Sequence, residues 1–155
     1  MNKTERTQSM DIPTRQRWLG VLANSEAAAL QTLLSPHLPP PEHVEWLRQP
    51  QTGLVMVEGR TGGAGARFNL GEVAVTRASC RWQDLTGHGW VRGTDPAHAA
   101  LIAQADALLQ APDRHPALMA AVIEPLADAL RARRELASRQ AAASKVEFFT
   151  MVRGE

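Results

Sequence analysis

One short stretch of the sequence combines glycines and arginines in a way that could bind an anion. The residues concerned are Arg60, Gly62, Gly63, Gly65 and Arg67. Glycine amides can approach phosphate oxygens closely, and guanidinium groups suit bidentate contact with phosphate or carboxylate. The stretch has no Gly-Lys-Ser/Thr ending and leads into a strand, so it matches neither nucleotide-binding loop. Spacing alone favours a flexible hairpin loop over a phosphate cradle.

Further arginines follow in the same region, where basic residues outnumber acidic ones. Side chains alternate between the two faces of a strand, so a single arginine cluster cannot be demonstrated from spacing. Solvated or intersubunit ion pairs are favoured over a substrate clamp. The basic residues of this region are Arg60, Arg67, Arg77, Arg81 and Arg92, and the acidic residues are Glu58, Glu72 and Asp84.

The histidines and the single cysteine lack the spacing of a metal site or a nucleophile pair. His98 follows Asp95 in the first turn of an expected helix, and is interpreted as a surface or capping residue in preference to a general base. Cys80 is interpreted as a small buried hydrophobic residue in preference to a nucleophile. No catalytic triad, carboxylate pair or cofactor fingerprint is recognised, which predicts a chain that is catalytically incomplete.

Length and composition predict one ordinary globular domain over residues 1–155. The chain is 44% hydrophobic and 21% charged, with a formal net charge of +1. This charge is too small to predict a nucleic-acid or membrane partner. One cysteine cannot form an internal disulfide, and neither a secretory segment nor a membrane-length apolar run is recognised. We therefore expect a cytoplasmic protein that binds no metal.

The pattern of elements predicts an α+β fold. Residues 1–13 are expected to form a flexible tail, after which two amphipathic helices are capped by Thr14 and Ser25. Residues 35–41 are proline-rich and are interpreted as an extended connector in preference to a peptide-recognition motif. About four strands then form an antiparallel meander, with a bulge or bend near Gly71. Their expected positions are residues 43–47, 54–57, 67–82 and 88–91.

C-terminal helices and an extended tail complete the expected fold. Asp95 or Thr94 caps a helix that starts at Pro96, and a second helical region spans residues 117–142 with a kink or a break just before Pro125. Residues 14–142 form the expected core. Residues 131–145 are either a solvated helix end or an arm that becomes ordered on a partner. An apolar tail follows over residues 143–155 and is expected to dock through Val146, Phe148, Phe149 and Met151.

Several ordered blocks of the sequence carry one resemblance, and they are residues 14–23, 52–77, 87–89, 93–99, 106–110 and 145–152. Together they resemble one known family, the G subunit of the carbon–phosphorus lyase core complex (PhnG). The glycine-rich hairpin belongs to the most extensive of these blocks. Agreement of several blocks in order is far more specific than agreement of any single one.

The resemblance implies a subunit of a phosphonate-degrading assembly with H, I and J subunits. In that family the G, H and I subunits act with an L subunit to join ATP and methylphosphonate. Adenine leaves, and α-D-ribose 1-methylphosphonate 5-triphosphate forms. The family implies no cofactor on this chain itself, since the iron–sulfur cluster and S-adenosylmethionine belong to the J subunit. The alternative is a non-catalytic binding or scaffold protein unrelated to this chemistry.

On this resemblance no catalytic residue is assigned to the chain, and its isolated form is expected to be inactive. Phosphate or subunit contacts are expected instead. The residues are Arg60, Gly62, Gly63, Gly65, Arg67, Glu72, Arg77 and His98.

Overall fold

The computed structural model describes residues 11–146 and has the α+β architecture expected from the sequence. Helices lie on one side of a three-stranded antiparallel sheet. The elements are α1 (Ile12–Asn24), α2 (Ala27–Leu34), β1 (Val44–Arg60), β2 (Arg67–Trp82), β3 (Leu85–Arg92), α3 (Pro96–Leu109), α4 (His115–Leu118) and α5 (Glu124–Ala143).

Within residues 11–146 the sheet has three strands in the order β1-β2-β3, so the expectation of about four strands is wrong for this part of the chain. The two segments expected to be the first and second strands are one long strand, β1. Pro50 lies inside it, at a register shift between Arg48 and Gln51. Because β1 is an edge strand that pairs only with β2, a residue without an N–H can be accommodated at this irregularity. The proline therefore interrupts the ladder without ending the strand.

Local backbone features of β2 and β3 agree with the predictions made from the sequence. The predicted bulge near Gly71 is confirmed, since Val57 pairs with Gly71 and Glu58 with Asn69, which leaves Leu70 as the extra residue. Gly71 has a φ of 146°, which glycine tolerates better than other residues. Trp82 pairs with Leu85, so the expected hairpin between β2 and β3 turns through only two residues.

Helix α3 lies at the centre of the molecule, between the sheet and the remaining helices. It approaches β3 very closely, because a Cβ atom at Gly87 or Gly89 would overlap backbone atoms of α3. The helix presents alanines to these glycines at Ala99, Ala103 and Ala107. Small residues on both elements therefore set the distance between the helix and the sheet.

Helices α1 and α2 pack on the other side of α3 and bury large side chains there, including Trp18, Leu22 and Leu30. Helix α1 begins at Ile12, three residues before the start that a Thr14 cap implies, so residues 12 and 13 of the expected tail are helical. Pro13 lies in the first turn. The first N–H groups of a helix have no acceptor within it, so proline fits this position. Neither Thr14 nor Ser25 provides an N-cap, since the cap positions are Asp11 and Glu26.

The C-terminal helical region contains a π-helical turn at Met119–Ile123, between α4 and α5. In this turn the Glu124 N–H donates to the Met119 carbonyl. This irregularity lies where a kink or break was expected, and it precedes Pro125, whose missing N–H cannot complete the regular pattern. The helical path then continues to Ala143.

Two further predictions from the sequence concern the proline-rich connector and membrane-spanning segments. Residues 35–41 are not simply extended, because 3₁₀ turns form at Ser35–His37 and Pro41–His43. Within residues 11–146, no helix is both long and apolar enough to cross a membrane.

Candidate functional site

The β1–β2 hairpin extends well beyond the rest of the molecule. Strand β3 pairs with β2 only from Val75 to Trp82, so residues 54–74 form a two-stranded ribbon, called here the arm. At about 3.4 Å per residue, its strands project roughly 25 Å beyond β3. No residue of the arm is buried. An isolated two-stranded hairpin is marginally stable in water, so the arm is a segment that a partner would stabilise.

Arg60 and Arg67 face each other across the two strands at the tip of the arm. Their charges are weakly compensated. Arg60 Nη1 donates to the Gly65 carbonyl at 3.4 Å, and Arg67 Nη1 lies 3.9 Å from Glu58 Oε2 with both side chains more than half exposed. Two guanidinium groups are therefore available at the tip for an anionic group of another molecule.

The glycines of the tip have a conformational explanation. Gly62 and Gly63 have φ values of 59° and 82°, which non-glycine residues rarely adopt. Gly65 donates its N–H to the Thr61 carbonyl at 2.8 Å, and a Cβ atom there would collide with the same carbonyl. A tight turn thus accounts for all three glycines.

The sequence-predicted contact residues fall into three separate places. The arginines and glycines between Arg60 and Arg67 lie at the tip. Glu72 lies along the arm opposite Met56, and Arg77 lies at its base, about 30 Å from the tip at the rise of a strand. His98 lies in the helical layer. The structure therefore does not bring the eight residues together into one site.

His98 is not a surface residue, which corrects the sequence interpretation. Its side chain is only 4% exposed, and Nε2 donates to the Leu22 carbonyl at 3.0 Å. Its backbone N–H donates to Asp95 Oδ1 at 3.0 Å, so the capping interaction expected at this helix start is made by Asp95. His98 therefore joins α3 to the end of α1, and it does not face the arm.

A buried carboxylate that the sequence analysis missed joins three elements. Asp106 is fully buried and accepts four hydrogen bonds. Arg15 donates through Nε at 3.1 Å and Nη2 at 2.7 Å, Trp18 Nε1 donates at 2.9 Å, and the His88 N–H donates at 2.9 Å. Every lone-pair position of the carboxylate is used, so this group stabilises the fold. Its only sequence signal is an acidic residue on the buried stripe of α3.

A second group of buried hydrogen bonds, centred on the Thr76 hydroxyl and called here the Thr76 node, lies at the base of the arm. Thr76 is fully buried, and its hydroxyl donates to the Gly93 carbonyl at 2.7 Å and accepts from the Asp95 N–H at 3.1 Å. Thr52 Oγ1 lies 2.9 Å from the same hydroxyl. A hydroxyl has one proton, so Thr52 is the donor in this pair. The node ties both strands of the arm to the start of α3, which gives the arm a fixed direction.

Cys80 is buried, as the sequence predicts. Burial, with a smaller contribution from the negative charge of Asp106, raises the pKa of the Cys80 thiol from 9.0 to about 11. The thiol is therefore protonated near neutral pH and is a poor nucleophile. Across residues 11–146, no group of three or more histidine, cysteine, aspartate or glutamate side chains is placed to hold a metal ion.

The expected C-terminal docking segment lies mostly outside the described residues. Val146 is described and is 70% exposed, whereas Phe148, Phe149 and Met151 fall beyond residue 146. Helix α5 is exposed along its last residues, and Arg133 fixes its middle to Glu26 and to the Asn24 carbonyl. Residues 131–143 thus form an exposed helix in the free chain, and ordering of residues 131–145 on a partner stays a prediction.

Comparisons with a family model and with a curated relative agree. The family model described as phosphonate metabolism protein PhnG matches residues 13–154. A curated protein of Rhizobium meliloti (strain 1021), named alpha-D-ribose 1-methylphosphonate 5-triphosphate synthase subunit PhnG, is 39% identical over 156 residues. This alignment covers 100% of the present chain and 99% of the relative.

Proposed function

The chain belongs to the PhnG family of phosphonate metabolism proteins, and on that premise we propose that it is a subunit of an α-D-ribose 1-methylphosphonate 5-triphosphate synthase. The relative that it matches over its full length carries this function in its name. In the proposed reaction an oxygen of methylphosphonate attacks ribose C1′ of ATP, the bond from C1′ to adenine breaks, and the triphosphate stays on the ribose. The chain acts in this reaction as one part of an assembly.

The observation that carries the proposal is the arm. Its residues have no partner within the described part of the chain, although its faces bear large apolar side chains. Leu70 is 62% exposed, Phe68 44% and Val55 40%. Such a ribbon gains stability by burial against another protein. A subunit whose partner supplies that surface accounts for the arm better than an independent enzyme does.

The polar residues of the body support an accessory role in catalysis. The buried carboxylate of Asp106 is saturated by hydrogen bonds, and the Cys80 thiol is buried and protonated. His115 Nδ1 donates to the Leu109 carbonyl at 2.8 Å, and its ring packs against Trp18. These groups are engaged in the fold, so we assign the reacting groups of the synthase to other subunits.

The proposed partners are the I, H and J subunits of the carbon–phosphorus lyase assembly, with the L subunit acting in the same reaction. ATP is a substrate of the assembly, and the iron–sulfur cluster and S-adenosylmethionine belong to the J subunit in this proposal. The proposed location is the cytoplasm, where ATP is available.

Light-scattering chromatography tests the proposal. The chain is expressed alone and together with the H, I and J subunits of the same organism. We expect a defined complex that contains this chain, and loss of that complex when residues 54–74 are replaced by a short Gly-Asn turn that joins the two strands at their base. A chain that elutes as a free monomer beside an assembled complex of the others would contradict the proposal.

A further inference from the structure

Among residues 11–146 the helices cover one face of the sheet, and the other face, called here the open face, is continuous from the body to the arm. Cross-strand partners share a face, so the register identifies its members. Gln51, Arg77 and Trp90 lie side by side across the three strands. Val55 and Val73 form the corresponding pair further out on the arm. The same face thus runs along the whole sheet.

A stripe of apolar side chains follows the open face. Val55 and Val73 are each 40% exposed, Phe68 is 44% exposed and Leu70 is 62% exposed. Gly59 leaves space for Phe68 and Leu70, because a Cβ atom at position 59 would contact both side chains. The open-face stripe consists of Val55, Val57, Phe68, Leu70, Val73, Val75 and Trp90.

The stripe ends at a depression of about 180 Å³ at the base of the arm, lined by residues that include Gln51, Val55, Arg77 and Trp90. The Arg77 guanidinium lies over the Trp90 ring at 5.8 Å from its centroid. Trp90 is 51% exposed. Tryptophan and arginine are among the residue types that contribute most strongly to protein interfaces, and here they lie at the inner end of the apolar stripe.

The charges on the two faces of the sheet differ. On the open face, Glu45 pairs with Arg81 at 3.4 Å. Arg48, Arg77 and Arg92 share that face and form no salt bridge with any residue between 11 and 146. The opposite face of the arm carries equal numbers of arginines and glutamates and so has no net formal charge. These residues are Arg60, Arg67, Glu58 and Glu72. The open face alone combines an apolar stripe with excess positive charge.

The dimensions of the open face fit a specific protein interface. A 17-residue strand extends roughly 55 Å, and two to three strands span about 10 to 15 Å. The resulting area of roughly 600 to 800 Å² is close to the ~800 Å² that each partner contributes to a standard interface. A small anionic ligand would use only a fraction of it.

We propose that the open face binds an apolar surface of a partner subunit that carries carboxylates opposite Arg77 and Arg92. The inference rests on the proposed function, because it assigns the subunit contact to one face of the sheet. The stripe provides burial, and the arginines fix the register of the partner through charge-assisted hydrogen bonds. The opposite face of the arm, with Leu54 and Met56, stays outside this contact.

Substitutions at two neighbouring positions test whether the open face or the opposite face of the arm binds the partner. Val55→Glu places a carboxylate on the open face, and Met56→Glu places the same group on the opposite face one residue later. Both positions are exposed in the free chain, so neither change disturbs its core. We expect Val55→Glu to weaken partner binding at least tenfold and Met56→Glu to change it less than threefold. The readout is the affinity for the partner subunits by biolayer interferometry, with circular dichroism as the check on folding.

The charge component is tested by Arg77→Glu, with Arg131→Glu on α5 as the matched control. Arg131 is exposed and contacts only Asp128 of its own helix. We expect tenfold weaker binding for Arg77→Glu and no change for Arg131→Glu.

The outcomes distinguish the two proposals. If the unaltered chain binds no partner subunit, the proposed function fails, and this inference fails with it. If the unaltered chain binds but Met56→Glu weakens binding as much as Val55→Glu, the subunit role stands and the assignment to the open face is wrong. A dimeric mass for the chain alone that Val55→Glu reduces to a monomer would also overturn it, because the open face would then bind a second copy.

Discussion

Asp106 connects α1, β3 and α3 through one side chain, so its charge matters to the whole helical layer. Replacing it by asparagine removes the negative charge opposite Arg15 and turns one acceptor oxygen into a donor that faces other donors. Breaking a buried ion pair by removing one partner costs about 3 to 5 kcal/mol. We expect Asp106→Asn to lower the free energy of unfolding by that amount in urea titrations at pH 7.

The matched control for this change is Asp128→Asn. Asp128 also contacts an arginine, Arg131, at 2.9 Å, but both side chains are about two-thirds exposed. Exposed pairs of this kind contribute little, so its unfolding midpoint should stay unchanged. Equal effects of the two substitutions would contradict the structural role assigned to Asp106.

Cys80 allows a prediction about pH. Because burial raises the pKa of its thiol to about 11, the folded protein favours the protonated form. The resulting contribution to stability is complete below pH 9, the ordinary pKa, and is lost as the pH rises through 11. At pH 8 we expect alkylation by iodoacetamide to be at least ~10-fold slower in the folded protein than in urea. Equal rates in the two states would show that the thiol is accessible.

At the scale of elements, the close packing of α3 on β3 depends on two glycines. A methyl group at Gly89 would overlap the Ala99 carbonyl, so Gly89→Ala must displace the helix from the sheet. Overpacking of this severity costs about 3 kcal/mol. Gly20→Ala in α1 is the matched control, because nothing lies within 4 Å of the added atom and alanine is the better helix former. Thermal unfolding should show a lower midpoint for Gly89→Ala and an equal or higher one for Gly20→Ala.

The tip of the arm carries the contact predicted first from the sequence. Replacing both Arg60 and Arg67 by alanine removes two exposed charges and leaves the turn glycines in place. If the tip meets an anionic group of the assembly, adenine release by the reconstituted synthase should fall at least tenfold. The corresponding double change at Arg17 and Arg131, which are exposed outside the arm, should have no effect. Unchanged activity and assembly in both variants would exclude the tip from the contact.

Elements with local signals could be predicted from the sequence. The helix start at Asp95 and Pro96, the bulge at Gly71 and the irregularity before Pro125 each follow from the backbone chemistry of one or two residues. The strand count could not be predicted in the same way. Pro50 normally argues against a continuous strand, and only the edge position of β1 permits it.

The arrangement of the candidate site was less predictable than the elements. Strand alternation could not place the arginines on one face, because the register shifts in β1 and the bulge in β2 change the parity along the strands. The burial of His98 also depends on a distant acceptor, the Leu22 carbonyl. Both facts arise from long-range pairing, which spacing along the chain does not encode.

At the scale of the whole molecule, the two faces of the sheet differ in how far the described residues cover them. Helices cover one face of the sheet and bury the aliphatic core and the polar network of Asp106. The other face and the arm are left exposed with an apolar stripe and three arginines that have no acidic partner between residues 11 and 146. An antiparallel sheet can leave one face in water, but a contiguous apolar patch on that face is typical of a binding surface. The proposed synthase subunit role accounts for the exposed patch, because a partner subunit would cover it.

The most direct test of this account is an omission assay of adenine release from ATP and methylphosphonate. The H, I and L subunits of the same organism are assayed with and without this chain, at matched concentrations. The account predicts that adenine release requires the chain, and that the chain alone releases none. Release at an undiminished rate without the chain, or turnover by the isolated chain, would contradict it.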